Sequence, residues 1–180
     1  MRRVIAPLAL AAGVLAAPVT AGVPEVDAPS LPAPAFGSYA WPVSGPVIRG
    51  FEQPVGPFGP GHRGIDIGSA PGTRVRAAAD GVVVFAGPVA GELHVSIDHP
   101  DGVRTSYAFL SAVGVERGAP VTKGTVVGAV GEGHDGTSTP HLHFGARYAG
   151  QYIDPMLLLG RRSLVGLIHL APIEEASPVP

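Results

Sequence analysis

The sequence predicts a mainly β fold, a compact antiparallel β-sheet or sandwich domain with little helix. Three observations predict it. Short β-branched runs alternate with turn signals through the middle of the chain. Glycine and proline, 26 and 20 of the 180 residues, make up about a quarter of it without any G-X-Y period. Hydrophobic residues at 46% supply enough apolar surface for a core. Collagen and full disorder are thereby excluded, and the length fits one folded domain.

Taken in order, Met1-Arg2-Arg3, the uncharged apolar run 4–17 and the small residues Val19-Thr20-Ala21 read as a secretory signal over residues 1–21. The run of about 14 residues is shorter than the roughly 20 that span a bilayer. Cleavage removes Arg2 and Arg3 and leaves 10 basic against 14 acidic side chains, so the formal charge moves from -2 to -4. Residues 22–40, with prolines at 24, 29, 32 and 34, read as an extended spacer that cannot build a core. Residues 41–160 are expected to fold and 161–180 to form a loose tail. Within the folded part the expected strands are 47–51, 74–77, 81–86, 94–98, 103–109, 126–130, 141–146 and 151–153, with one short helix at 155–159. His99-Pro100-Asp101-Gly102 joins two of these strands, with proline at i+1 of a type I turn and glycine closing it.

Composition narrows the chemistry. Charged residues are 14% of the chain and no basic surface is in prospect, which disfavours an electrostatic nucleic-acid binder. There is no cysteine, so disulfides, thiolate zinc sites, iron–sulfur clusters and cysteine nucleophiles are excluded together. Any metal must be held by His, Asp or Glu.

Two clusters of such residues stand out. In Gly61-His62-Arg63-Gly64-Ile65-Asp66-Ile67-Gly68 the histidine and aspartate are four apart, but the three glycines argue against a helix. In a plain strand the pair would be about 13 Å apart, so sharing an ion requires a turn or bulge at Gly64. The plain alternative is a solvated loop with an ion pair. In Pro140-His141-Leu142-His143-Phe144, alternation puts both imidazoles on one face of a strand and Leu142 and Phe144 on the other. The plain alternative is a pair of exposed surface histidines. Combined, the clusters offer His62, Asp66 and one of the paired histidines as three N/O ligands, the open arrangement of a catalytic zinc. The remaining histidine then stands beside a metal-bound water, placed to take its proton, which suggests a hydrolase.

The stretches GHRGIDIGSAPGTRVRAAADGVVVFAG, SIDHPDGVRTSYAFLS, VTKGTVVGAVG and TPHLHFGARYAGQYIDPMLLL resemble, in order, the M23 peptidases of the LytM/lysostaphin type. These are zinc endopeptidases that cut peptide cross-links in bacterial peptidoglycan. The resemblance spans residues 41–159, and H-x-x-x-D followed by H-x-H is its most specific part. It implies one Zn²⁺ per chain held by His62, Asp66 and His143, with His141 as the catalytic histidine and substrate extended along a groove. One departure matters: where the family shows a further histidine in Y-x-H-L-S, this chain has Tyr107-Ala108-Phe109-Leu110-Ser111. The family's histidine there steadies the tetrahedral intermediate, and losing one such donor costs on the order of 10² to 10³ in rate. Gly145 is a second, lesser departure, standing where the family often has an acidic residue.

His134, in a glycine-flanked loop before the H-x-H strand, is the first candidate to replace the donor, with Tyr107 and Arg147 behind it. Arg63, beside the first ligand, is a candidate to meet a substrate carboxylate, its plain alternative being a solvated side chain. His94 and His99 are expected at strand and turn surfaces and His169 in the tail. The leading expectation is a secreted zinc metalloendopeptidase of the cell envelope, extracellular or periplasmic. Its partner is peptidoglycan peptide, with no nucleic acid and no membrane after signal cleavage. The alternative is a non-hydrolytic relative that binds cell-wall peptide or regulates another wall hydrolase as a partner protein.

Overall fold

The computed structural model describes residues 32–56, 59–133 and 139–160. The expected signal segment, most of the spacer, His134 and the tail with His169 lie outside the described residues. Ten strands run in chain order: β1 Val47–Arg49, β2 Gly64–Gly68, β3 Arg74–Arg76, β4 Gly81–Val89, β5 Glu92–Asp98, β6 Val103–Val113, β7 Pro120–Val121, β8 Val126–Val130, β9 His141–Tyr148 and β10 Gln151–Ile153. All pairings between these strands are antiparallel. They form one connected sheet in the order β1-β2-β9-β6-β5-β4-β7, with β10 on β9 and the β3–β8 pair joined through β6. Helix is confined, among the described residues, to a 3₁₀ turn at Pro155–Leu157, capped by the Asp154 side chain accepting from the Met156 N–H.

Two elements differ from the sequence reading. Gly64–Gly68 is a regular strand with every residue buried, although its glycines point to a loop. Pro120–Val121 adds a two-residue edge strand on β4. The hairpin at His99-Pro100-Asp101-Gly102 forms as expected: Gly102 N–H donates to His99 C=O at 3.0 Å, and Gly102 takes φ +78°, a value glycine reaches without steric cost.

The long strand β6 is the trunk. Residues 103–108 pair with β9, and from Leu110 onward the strand pairs with β8 instead. The change of partner falls at Phe109, whose φ is +59°. Against β5, Leu93 faces Leu110 and Val95 faces Tyr107, so Ala108 and Phe109 together oppose the single residue His94. That is a β-bulge, the device that bends a strand and re-aims a side chain.

Alternation then separates two faces. Ile65, Ile67, Val95, Ile97, Tyr107, Leu142 and Phe144 are 0% exposed and form the core with Val75, Val127 and Val130 of the β3–β8 pair. Asp66, His141 and His143 occupy the intervening positions of β2 and β9 and so share the opposite face. The end of the stretch read as spacer is part of this body. Tyr39 is buried, bridges Leu159, and its N–H donates to Leu158 C=O, while Ala40 N–H donates to Ala78 C=O.

Candidate metal centre

Asp66 and His143 are direct cross-strand partners in the β2–β9 ladder. Residues so paired carry their side chains on one face within contact distance, and His143 Nδ1 lies 2.8 Å from Asp66 Oδ1. Gly64 makes this approach feasible: a Cβ there would stand 2.8 Å from His143 Nε2 and closer still to the Phe144 carbonyl oxygen. Gly64 therefore sits inside a regular ladder, not at a bulge, cleared for a ring.

His62 arrives from outside the strand. The chain bends at Arg63, and His62 forms an isolated bridge with Glu52, exchanging backbone hydrogen bonds of 2.9 and 3.0 Å. That bend, rather than a bulge within β2, shortens the span from His62 to Asp66. His62 Nε2 then lies 3.1 Å from Asp66 Oδ1 and 3.1 Å from His143 Nδ1. Burial alone would raise the Asp66 carboxyl, but the hydrogen bond from His143 and the surrounding imidazoles outweigh it and hold it below the usual carboxylate range.

The donor set fits a divalent cation. His62 Nδ1 donates to Gly50 C=O at 2.6 Å, which turns Nε2 toward the Asp66 carboxylate. Two imidazole nitrogens and one carboxylate oxygen suit zinc better than the all-oxygen shells of magnesium or calcium. His141 is fully buried beside them; its Nδ1 donates to Thr139 C=O at 2.8 Å and its Nε2 lies 4.0 Å from Asp66 Oδ2.

The other sequence candidates separate. Arg63 stays at the site, with its guanidinium 5.6 Å from the Tyr152 ring centre and its Nη2 donating to Gly59 C=O. Arg147 also stands over the Tyr152 ring, at 4.7 Å from its centre. Tyr107 does not reach the site and is a correction: it points into the core, where its hydroxyl accepts from Ala78 N–H at 2.8 Å and burial pushes its pKa up to about 12. Phe109 does reach it, its ring edge-on to His141 and His143 at 6.0 and 6.1 Å.

One further histidine is corrected and another is placed. His99 is buried, not at a turn surface, with Nδ1 2.7 Å from Asp80 C=O and Nε2 2.8 Å from Thr105 Oγ1. His94 lies on the site face, 6.0 Å from Phe109 between ring centres, and lines a cleft with His143 and Arg63. Burial, then the neighbouring His143, lowers its pKa. The polar alternation of His94, Ser96 and Asp98 marks its face in the sequence, but which face meets the site depends on strand order.

The chain is 47% identical over 97 residues to the DD-carboxypeptidase/endopeptidase Mpg of Neisseria meningitidis, covering 53% of this chain and 22% of that protein. It is 34% identical over 157 residues to the murein hydrolase activator NlpD of Salmonella dublin, covering 83% and 40%. Among solved structures, a zinc-containing peptidase from Vibrio cholerae superposes with a TM-score of 0.56 at 28% identity, over 69% of this chain and 40% of that one. The chain spans about half or less of the length of the curated relatives it matches. The family model for Peptidase family M23 matches residues 60–155, more than half of the chain and all four residues of the centre, and the chain belongs to that family.

Proposed function

We propose that this chain is a secreted zinc metalloendopeptidase acting on the peptide cross-links of bacterial peptidoglycan, with residues 41–160 as its catalytic domain. The observation that carries the reading is the convergence of His62 Nε2, Asp66 Oδ1 and His143 Nδ1 within 3.1 Å of one another, with His141 buried alongside. Zinc held by those three residues would supply Lewis-acid polarisation of the scissile carbonyl and a more acidic water. His141 is oriented by Thr139, so its Nε2 is the basic nitrogen turned toward the Asp66 side of the centre. There it takes the proton of the attacking water and returns it to the leaving amine.

Purified protein should bind about one zinc per chain and clear peptidoglycan in a gel, with His143→Ala abolishing both. Zinc binding without clearing would instead support the second reading, a domain that binds cell-wall peptide or regulates another hydrolase. Phe109, an aromatic ring without a hydrogen-bond donor beside His141, is the observation that favours that reading.

A further inference from the structure

The face that carries the metal-binding residues continues along β9 through Gly145 to Arg147. Arg147 is the direct cross-strand partner of Arg104 on β6, and like charges set opposite one another in a sheet are unfavourable. Arg104 is offset by Asp98, which it contacts at 2.8 Å. Arg147 has the π face of Tyr152, its partner on β10, and Arg63 stands over the same ring. These three arginines, Tyr152, His94 and His143 line one cleft of about 340 Å³, and no acidic side chain lines it among the described residues. A cleft lined by guanidinium groups beside the metal-binding residues suits an anion, and a guanidinium fork matches a carboxylate geometrically.

We propose that this cleft is a subsite for a carboxylate on the peptide substrate. The chemistry admits two sources: the C-terminal carboxylate of a short peptide, or a carboxylate on a side chain near the scissile bond. From His143 to Arg147 is four residues, about 13 Å of strand. With the reach of the arginine side chains, the carboxylate falls within a few residues of the bond at the metal centre. The inference rests on the peptide-substrate reading above but not on turnover.

The test is therefore a binding titration on the full chain with zinc chelated, using three acetylated tripeptides of equal length. One ends in D-Ala-D-Ala with a free carboxylate, the second is its C-terminal amide, and the third is C-amidated with a single side-chain carboxylate. At least one carboxylate peptide should bind about tenfold more tightly than the amide, and the one that does identifies the source. Arg147→Gln and Arg63→Gln should each erase most of that preference while leaving the affinity of the amide unchanged, and added salt should shrink it. Arg147 is exposed, so its variant can be made without disturbing the core. Equal binding of all three peptides, no binding of either acid, or a preference that survives both substitutions would overturn the subsite. Clearing of peptidoglycan is read separately, so a chain that shows the preference but never clears would fail as an enzyme and keep the subsite.

Discussion

Phe109 answers to two demands at once. Its backbone must sit at φ +59°, where β6 leaves β9 for β8, and its ring must fill the space between His94, His141 and His143. Bulky residues are uncommon in the left-handed region, whereas histidine is enriched there. Phe109→His should therefore keep the fold while adding a donor at the site. Turnover of labelled peptidoglycan is expected to rise on the order of 10²-fold, and an unchanged rate with zinc in place would mean that Phe109 does not limit turnover. Phe109→Val, β-branched at a positive φ, should lower the unfolding free energy by about 1–3 kcal/mol. Asp66 has a simpler role. Asp66→Asn removes the one negative charge between two imidazoles, and zinc affinity measured by competition with a chelator should fall on the order of 10²-fold or more. The types and spacings of these residues are visible in the sequence. The backbone conformation that aims residue 109 at the site is not, because it arises from a change of strand partner.

At the scale of elements, β2 and β9 form the centre because the same alternation runs in both. Ile65 and Ile67 flank Asp66 as Leu142 and Phe144 flank His143, so burying the apolar pairs on one side brings the ligands together on the other. The pattern in β9 is legible because two histidines reveal it. In β2 the flanking glycines mask it, since glycine weakens a strand in isolation, and only the neighbouring ring explains why it is tolerated. Gly64→Ala tests that account. Its Cβ would meet both the Phe144 carbonyl and the His143 ring, so the ladder must shift. A loss of about 1–3 kcal/mol in unfolding free energy is expected, together with weakened zinc binding. Gly72→Ala, at φ +77° with open space around it, supplies the contrast: strain without displaced ligands. If Gly64→Ala binds zinc as wild type does, the glycine does not set the His143 position.

Over the whole molecule, the features hidden from the sequence are those fixed by long-range packing. His99 is one: it lies in a turn that reads as surface, yet Tyr39 of the segment before Trp41 packs over it. Tyr39 packs its ring edge on that of His99 at 5.0 Å, and the Tyr39 hydroxyl donates to Asp101 at 2.9 Å, tying the segment before Trp41 to the hairpin. Burial lowers the His99 pKa below the ordinary histidine value of 6.5, against the opposing influence of the Asp80 carbonyl and of Asp101, Asp98 and Asp80. Below that value the unfolded chain takes up a proton that the folded one resists. The stabilisation is therefore present above about pH 6.5 and is lost as pH falls through the folded-state pKa. With zinc chelated, the urea midpoint of the wild type should drop on acidification from neutral pH to about pH 5. His99→Gln retains a donor and an acceptor but cannot titrate there. It should start less stable at neutral pH, by roughly 1–2 kcal/mol for the lost ring packing, and show a shallower decline with acid. Parallel declines in the two proteins would mean that His99 is not what makes the packing of Tyr39 on the hairpin sensitive to pH.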